Sequence, residues 1–415
     1  MKYIIQGGAK IGGAIRISGA KNAALPIIAA AMLGETPSVL HDIPNVSDTR
    51  DMIKLVEHIG SYAQYAADKS LKIYLSKPTN FIAPYDIATK LRASFLIMAP
   101  MLARFGKIRI PLPGGCPIGT RPVNLHLKGF AAMGAKITQG HGFVEAKARK
   151  LVGAKIYLDF PSVGATENIM IAATLAEGQT IIENAAIEPE IVDLANFLNQ
   201  MGADVRGAGC DTIRINGVKS LFGAEYTIIP DRIEAGTFMT LAAMTRGELL
   251  IENVLPDHLK PVISKLNDVG ATIETTDHSI LISAKDKFRP SDIKTLPYPG
   301  FPTDMQAQFT AFMSNVEGTS MVVETVFENR FLHANELARM GANIKIEGRT
   351  AVIDGRKNLS SAQVKATDLR AGAALTLAAL VCDGVSEISE IHHIERGYEN
   401  FEQKLCAIGA KINKI

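Results

Sequence analysis

Met201-Gly202-Ala203-Asp204-Val205 is one of six similar segments that recur along the chain and decide its fold. Their glycines lie 74, 68, 68, 71 and 68 residues apart. A glycine after an apolar helix suits a left-handed C-terminal cap, and the residues that follow it start a strand. A fixed period of this size indicates a fold built from copies of one supersecondary unit. The other five segments are Ile59-Gly60-Ser61-Tyr62-Ala63, Met133-Gly134-Ala135-Lys136-Ile137, Val269-Gly270-Ala271-Thr272-Ile273, Met340-Gly341-Ala342-Asn343-Ile344 and Ile408-Gly409-Ala410-Lys411-Ile412.

Each copy also opens with a helix of small apolar residues. These helices are apolar nearly all round, so we expect them to be buried. Short strands such as Gln179–Glu183 and Glu248–Glu252 follow them, and further strands are expected at 71–75 and 351–353. The repeat therefore predicts helix, strand, helix, strand, and an α/β fold. The opening helices are expected at 23–33, 94–103, 169–176, 238–243, 309–316 and 373–381.

Length and composition set the class of protein. A chain of 415 residues is too long to fold around one hydrophobic core of ordinary size. The six copies divide most simply into two domains of three. The seam then falls near Ile229-Pro230-Asp231-Arg232. A formal net charge of +2 gives no field that would recruit nucleic acid or an anionic membrane. The sequence shows no apolar run of transmembrane length and no signal peptide, and its four cysteines form no CxxC pair, which favours reduced thiols in the cytoplasm.

Neither a metal nor a cofactor is indicated by the motifs. The glycine-rich start at 12–22 lacks the Gly-Lys-Ser/Thr step of a Walker loop, and no GxGxxG opens a helix. The nine histidines contain no HExxH motif. His392 and His393 are adjacent, so we expect their rings to point in different directions and to make a poor metal pair.

The segment at 110–122 is the first candidate site. It holds three glycines, four prolines, Cys116 and Arg121. Loops on a rigid scaffold commonly carry function, and a nearby cation favours a reactive thiolate. The alternative from composition alone is a structural loop with an incidental thiol.

Basic residues and one acid stand out elsewhere. Basic residues recur at repeat starts and in strand-to-helix links, where helix N-termini already favour anions. Taken singly, each could be a surface charge; taken together, they favour a small, strongly anionic ligand. Asp304 opens an apolar helix, where it is either an N-cap or a general base. The basic residues are Lys21, Arg92, Arg330, Arg370 and Arg396.

Five long motifs, in order from end to end, resemble the enolpyruvyl transferase family, and within it the UDP-N-acetylglucosamine 1-carboxyvinyltransferases. The resemblance implies an inside-out α/β barrel fold of two domains with three repeats each, at 21–229 and at 1–20 with 230–415. It also implies an active site in the cleft between them. The motifs are Ser18-Gly19-Ala20-Lys21-Asn22-Ala23-Ala24-Leu25-Pro26, Leu112-Pro113-Gly114-Gly115-Cys116, Phe301-Pro302-Thr303-Asp304-Met305-Gln306-Ala307-Gln308, Glu324-Thr325-Val326-Phe327-Glu328-Asn329-Arg330-Phe331 and Ala366-Thr367-Asp368-Leu369-Arg370.

The chemistry implied by the resemblance is transfer of the enolpyruvyl group of phosphoenolpyruvate to the 3-hydroxyl of UDP-N-acetylglucosamine, with loss of phosphate. This addition and elimination is the first committed step of peptidoglycan synthesis. Cys116 would be the general acid and Asp304 would accept the proton of the sugar hydroxyl. Lys21, Arg121 and Arg396 would hold the phosphate.

Two sets of contacts complete what the resemblance implies. Asn22, Arg330 and Arg370 would join the phosphoenolpyruvate site, the two arginines on or near its carboxylate. The partners are small molecules, and the oligomeric state is open. The contacts to UDP-N-acetylglucosamine would come from Arg92, Arg121, Pro122, Val123, Asn124, Leu125, Ser162, Val163, Gly164, Asp304 and Val326.

Three positions depart from the family pattern: Pro117 after the cysteine, Asn124 where aspartate is common, and Phe160 where some relatives are basic. Because of these departures, the sequence does not decide how stiff the loop is or which residues make some of the nucleotide contacts. Two rival functions remain. One is the sister enzyme that acts on shikimate 3-phosphate, against which the cysteine loop and the motif at 301–308 argue. The other is a non-catalytic protein that binds nucleotide sugars, which would need no acid such as Cys116.

We predict that Cys116 is the reactive thiol. Fosfomycin, an epoxide analogue of phosphoenolpyruvate, should alkylate it, and UDP-N-acetylglucosamine should hasten the labelling. Peptide mapping by mass spectrometry measures the site, and a label on Cys210, Cys382 or Cys406 instead would refute the assignment. Cys116→Asp should keep some turnover, because a carboxylic acid also donates a proton, and should escape alkylation.

Overall fold

The computed structural model describes residues 1–113, 118–119, 122–284, 287–356 and 358–415. The described residues form two compact units. The N-terminal unit comprises 19–113 and 122–229, and the C-terminal unit comprises 1–18, 118–119 and 230–415. The predicted boundaries at 20/21 and 229/230 lie within two residues of those between the units, but 118–119, predicted in the first domain, group with the C-terminal unit. The equivalence of the units to transferase domains stays a prediction.

Helices α1 to α13 alternate with strands along both units. Three 3-10 helices matter below, at Arg92–Ile97, Thr303–Met305 and Ile391–Arg396. The α-helices are α1 Lys21–Ala30, α2 Ser47–Ile59, α3 Tyr85–Ala88, α4 Met98–Phe105, α5 Asn124–Ala132, α6 Val163–Ala173, α7 Pro189–Gln200, α8 Arg232–Met244, α9 Lys260–Val269, α10 Gln306–Ser314, α11 Leu332–Arg339, α12 Leu369–Val381 and α13 Phe401–Ala407.

The strands are numbered β1 to β23 in chain order. They are β1 Lys2–Gln6, β2 Gly12–Arg16, β3 Ser38–His41, β4 Tyr62–Tyr65, β5 Leu71–Tyr74, β6 Lys107–Pro111, β7 Lys136–Gly140, β8 Phe143–Lys147, β9 Lys155–Tyr157, β10 Gln179–Glu183, β11 Asp204–Arg206, β12 Thr212–Asn216, β13 Glu225–Thr227, β14 Glu248–Glu252, β15 Thr272–Thr275, β16 Ser279–Ser283, β17 Ile293–Lys294, β18 Gly318–Val323, β19 Asn343–Glu347, β20 Thr350–Gly355, β21 Gln363–Lys365, β22 Val385–Ser389 and β23 Lys411–Lys414.

These strands form three sheets in each unit. The N-terminal unit has the orders β13-β3-β5-β4, β6-β8-β7 and β11-β12-β10-β9. The C-terminal unit has β15-β16-β14-β2, β17-β18-β20-β19 and β21-β22-β1-β23. Strand β1 pairs antiparallel with both β22 and β23, so the start of the chain is built into the C-terminal unit. Most strands of each sheet come from one copy of the repeat, whereas β13 joins the sheet of β3, β5 and β4 from much later in the chain.

Three helices lie at the centre of each unit, as the sequence predicts. In the C-terminal unit, α8, α10 and α12 pack against one another, and 12 of the 13 residues of α8 are buried. A small residue on α12 also lets the 3-10 helix Ile391–Arg396 approach: a Cβ on Gly372 would lie 2.5 Å from Ile394 Cγ1. Helices α1, α4 and α6 pack together in the same way in the N-terminal unit. The prediction of buried opening helices is confirmed.

The predicted starts of α8 and α12 are late by six and four residues. Helix α12 begins at Leu369 and α8 at Arg232, whereas the apolar runs begin at 373 and 238. The first turn carries polar residues because its N–H groups have no partner within the helix. Asp231 and Asp368 supply that partner as N-caps. An apolar pattern starts only after this turn.

All six closing glycines have left-handed backbone conformations, with φ between 87° and 118°. Each is followed by a strand that begins two residues later, as β11 follows Gly202. A side chain in this conformation brings Cβ too close to the following carbonyl oxygen, so glycine is the residue of choice. The predicted cap and strand are confirmed in every repeat.

We predict that Gly202→Ala destabilises the N-terminal unit by about 1–2 kcal/mol, the cost of a left-handed non-glycine residue. This corresponds to about 2–8 °C in the melting temperature of a domain of this size. Gly140→Ala is the matched control. Neither glycine has an atom within 4 Å of an added Cβ, but only Gly202 has a positive φ, of 102°. Calorimetry measures both, and equal melting temperatures for the two variants would contradict the role of φ.

Candidate active site

Asp304 lies between two arginines in the C-terminal unit. Arg330 Nη2 donates to Asp304 Oδ1 at 2.8 Å, and Arg370 Nη2 donates to Asp304 Oδ2 at 2.8 Å. Both arginine side chains are 5% exposed, whereas that of Asp304 is 26% exposed. The structure therefore brings three predicted site residues into one cluster, which we call the carboxylate–arginine cluster, with its acidic member the most open to solvent.

Local sequence places each member of this cluster. Asp304 lies in the 3-10 helix that leads into α10. Arg370 is the second residue of α12, where Asp368 Oδ1 accepts hydrogen bonds from the backbone N–H groups of Arg370 and Ala371. Because Asp368 is an N-cap of the ordinary kind, it fixes the start of the helix and the position of Arg370.

Glu324 organises the loop that carries Arg330. It is 1% exposed, and its Oε1 accepts from the backbone N–H groups of Val326 and Phe327 at 2.8 and 3.1 Å. Its Oε2 accepts from the hydroxyl of Thr303, the neighbour of Asp304, at 2.8 Å. One buried carboxylate thus joins the segment of Asp304 to the segment of Arg330. Val326, a predicted sugar contact, lies in this turn.

The electrostatics of the cluster keep Asp304 ionised. Burial by itself would raise the pKa of Asp304, but the charges and hydrogen bonds of Arg370 and Arg330 hold it well below its ordinary value. The interpretation of Asp304 as a helix N-cap is wrong, because neither the 3-10 helix nor α10 has a side-chain cap. Its carboxylate instead accepts hydrogen bonds from Arg330 and Arg370, which are distant in sequence.

Arg396 and the adjacent histidines lie at the 3-10 helix Ile391–Arg396. Arg396 is its last residue and is partly buried. The rings of His392 and His393 lie against each other, with centroids 4.1 Å apart. The expectation that these rings point in different directions is wrong, because the tight turn of the backbone tilts them together. Among the residues that the structure describes, no group of three His, Cys, Asp or Glu side chains could hold a metal ion.

Lys21 and Asn22 begin α1 in the N-terminal unit. Lys21 Nζ lies 3.2 Å from Asp48 Oδ2, and the two side chains are 11% and 8% exposed. Helix α1 has no side-chain N-cap, so the donors of its first turn favour an anion. Lys21 thus lies at a helix start of the kind expected from the sequence.

Most of the described residues predicted to contact the nucleotide sugar are neighbours within the N-terminal unit, whereas Asp304 and Val326 belong to the C-terminal unit. Arg92 Nη2 donates to the carbonyl oxygen of Pro122 at 3.4 Å, and Pro122 and Val123 precede α5, in which Asn124 and Leu125 are the first two residues. Ser162 caps α6 through Ala165 N at 3.4 Å. A Cβ on Gly164 would lie only 3.2 Å from His126 Cε1. Glycine at this position lets α5 and α6 approach each other.

Several residues of the site were missed from sequence. His126 Nδ1 lies 2.8 Å from Asn168 Nδ2, which also donates to the carbonyl of Phe95 at 3.0 Å. Glu324 and Asp368 lie inside the quoted motifs, but only Asp368, two residues before Arg370, has a sequence signal, that of an N-cap. Cys116, Pro117 and Arg121 lie outside the described residues.

Comparison with known proteins identifies the class. The family model described as EPSP synthase (3-phosphoshikimate 1-carboxyvinyltransferase) matches residues 5–405. The chain belongs to this family of carboxyvinyltransferases and is an enzyme that transfers an enolpyruvyl group. In the described part of the chain, no helix is both long and apolar enough to span a membrane.

Relatives within the family are named more narrowly. UDP-N-acetylglucosamine 1-carboxyvinyltransferase 1 of Caldanaerobacter subterraneus subsp. tengcongensis is 58% identical over 99% of both chains. The second such enzyme of Carboxydothermus hydrogenoformans is 57% identical over 100% of this chain and 99% of its own.

Solved structures share the fold. The enolpyruvyl transferase NikO from Streptomyces tendae superposes with a TM-score of 0.90 at 24% identity, over 99% of this chain and 98% of its own. EPSP synthase from Acinetobacter baumannii has a TM-score of 0.78 at 18% identity, over 100% of this chain and 99% of its own. These similarities establish the enolpyruvyl transferase fold.

Proposed function

We propose that this enzyme transfers the enolpyruvyl group of phosphoenolpyruvate to the 3-hydroxyl of UDP-N-acetylglucosamine and releases phosphate. The observation that carries the proposal is the carboxylate–arginine cluster, in which two buried guanidiniums converge on one partly open carboxylate. The names of the full-length relatives support the choice of acceptor. The reaction belongs to peptidoglycan synthesis, and the near-neutral charge and the lack of CxxC spacing among the cysteines favour the cytoplasm.

Arg330 and Arg370 are the groups that we assign to the carboxylate of phosphoenolpyruvate. A planar guanidinium binds a carboxylate through two parallel hydrogen bonds, and here each one already binds Asp304. A ligand carboxylate therefore competes with Asp304 for the same donors. Lys21, Asn22, Arg121 and Arg396 would bind its phosphate group.

Replacement of Asp304 by a substrate carboxylate on the two arginines would also activate Asp304 as a base. With its pKa held far below the ordinary value, Asp304 is a weak proton acceptor, because an efficient base has a pKa near the working pH. Once a substrate carboxylate takes the guanidiniums, the charges that depress the pKa of Asp304 are neutralised and its pKa rises. Asp304 would then accept the proton of the sugar 3-hydroxyl only when both substrates are bound.

The remaining steps of the reaction use Cys116 and the cations assigned to the phosphate. The thiol of Cys116 gives its proton to the methylene carbon of phosphoenolpyruvate, and the sugar oxygen bonds to the neighbouring carbon. The tetrahedral intermediate then returns a proton from the new methyl group to the Cys116 thiolate and expels phosphate, which restores the double bond. The cations assigned to the phosphate would stabilise it as it leaves.

The nucleotide sugar would bind along the starts of α5 and α6. We assign its contacts to Arg92, Pro122 to Leu125 and Ser162 to Gly164, with Arg121, Asp304 and Val326 completing the set. Helix N-termini favour phosphate groups because their first N–H donors lack partners within the helix. The exposed ring of Phe160, 46% accessible, lies beside this surface and would pack against the ligand rather than pair with its charge.

The decisive assay measures phosphate release from phosphoenolpyruvate with two acceptors in parallel. We expect turnover with UDP-N-acetylglucosamine and none with shikimate 3-phosphate, the acceptor named by the family description. The opposite pattern would assign the enzyme to the sister reaction. Absence of turnover with either acceptor would leave a binding protein and reject the proposal.

The exchange of carboxylates predicts different pH profiles for two kinetic constants. The profile of kcat reports the pKa values of the complete substrate complex, whereas kcat/KM for phosphoenolpyruvate reports the form without it. We expect an acid limb from Asp304 in kcat at higher pH than in kcat/KM. The pKa of Asp304 is depressed only while both arginines bind it. In the complete substrate complex this pKa is higher, so kcat falls as the pH drops below that higher pKa.

The control for this experiment is Asp304→Ala. It should lower kcat by about two to four decades, the range for a lost general base, and should remove the acid limb. It should keep affinity for UDP-N-acetylglucosamine within about tenfold. Acid limbs at the same pH in both constants would mean that the substrate does not release Asp304 from its arginines.

A further inference from the structure

Tyr398 connects the three central helices of the C-terminal unit. Its side chain is buried, and its hydroxyl oxygen lies 2.8 Å from Thr237 Oγ1 on α8. Gln308 Nε2 on α10 donates to the same hydroxyl at 3.3 Å. The centroid of its ring lies 5.5 Å from Arg370 Cζ on α12. One phenol thus contacts one residue from each repeat of the unit.

The direction of these hydrogen bonds is fixed by Thr237. Its hydroxyl carries one proton, and that proton is donated to the carbonyl oxygen of Ile233 at 2.8 Å. Thr237 Oγ1 must therefore accept the proton of Tyr398. The phenolic oxygen keeps its lone pairs for other donors, and Gln308 Nε2 is one of them.

Arg370 needs such an acceptor. It is 4% exposed, and a buried guanidinium is stable only when its donors have partners. One donor goes to Asp304. Burial raises the pKa of Tyr398, and Arg370 opposes this rise through its charge and a hydrogen bond to the hydroxyl. The phenol thus interacts electrostatically with the guanidinium, whose Cζ lies over its ring.

We propose that Tyr398 is a positioning residue that holds the guanidinium of Arg370 in place for the substrate carboxylate. Thr237 and Gln308 fix the orientation of the phenol, and the phenol fixes Arg370. Because the acceptor is a neutral oxygen inside the unit, it stays with Arg370 when Asp304 exchanges for a ligand. This inference rests on the proposed function in assigning the carboxylate of phosphoenolpyruvate to Arg370.

The test is Tyr398→Phe, which removes the hydroxyl and keeps the ring. We expect KM for phosphoenolpyruvate to rise about 10- to 100-fold, the range for losing a hydrogen bond to a charged group. KM for UDP-N-acetylglucosamine should stay within about twofold. Tyr226→Phe is the matched control: it removes a partly buried hydroxyl that donates to Asp193 Oδ1 at 2.6 Å in the N-terminal unit, and neither KM should change.

Thr237→Val separates positioning from a merely structural role. It removes the acceptor of the Tyr398 proton while leaving Arg370 untouched, so KM for phosphoenolpyruvate should rise less than in Tyr398→Phe. The double variant should resemble Tyr398→Phe alone, because Thr237 acts through the hydroxyl. Additive effects of the two substitutions would overturn the proposed chain of contacts.

A readout without turnover distinguishes this inference from the proposed function. In protein labelled with 15N-arginine, the side-chain resonance assigned by Arg370→Lys should shift or broaden in Tyr398→Phe and not in Tyr226→Phe. An unchanged resonance, or an unchanged KM in active enzyme, would overturn the positioning role. If the wild-type enzyme lacks turnover with both substrates, the proposed function fails while the resonance still decides the role of Tyr398.

Discussion

Each unit depends on the mutual packing of three helices that are buried on nearly every side. Close packing of this kind demands small residues and permits few polar ones, since a buried polar group without a partner is costly. Helices α8, α10 and α12 satisfy the demand with alanine, glycine and threonine hydroxyls bonded to their own backbone, as Thr240 and Thr376 are. Polar chemistry is therefore concentrated at helix ends.

The carboxylate–arginine cluster follows from this constraint. Arg330 and Arg370 are nearly inaccessible to water, so each needs a negative partner. Asp304 serves both in the structure described, and its low pKa is the electrostatic consequence. In the proposed function, a ligand carboxylate replaces that of Asp304 on these arginines.

Local signals in the sequence were sufficient for much of the fold. The left-handed glycines and the strands Gln179–Glu183 and Glu248–Glu252 are where the sequence predicts them, because backbone preference and alternation act over a few residues. Helices α8 and α12 begin six and four residues before their apolar runs, since the capped first turn is polar and interrupts the apolar pattern. The rings of His392 and His393 also differ from expectation, because side-chain direction depends on local backbone geometry.

The sequence by itself determined the repeat, its secondary structure and the residue types of the site. Only the tertiary structure decided which charges meet. Asp304 is 26 residues from Arg330 and 66 from Arg370, and Tyr398 is 161 residues from Thr237. No local preference specifies pairs so distant along the chain. They are set by the packing of helices from different repeats, which turns an apparent helix cap into the partner of two buried cations.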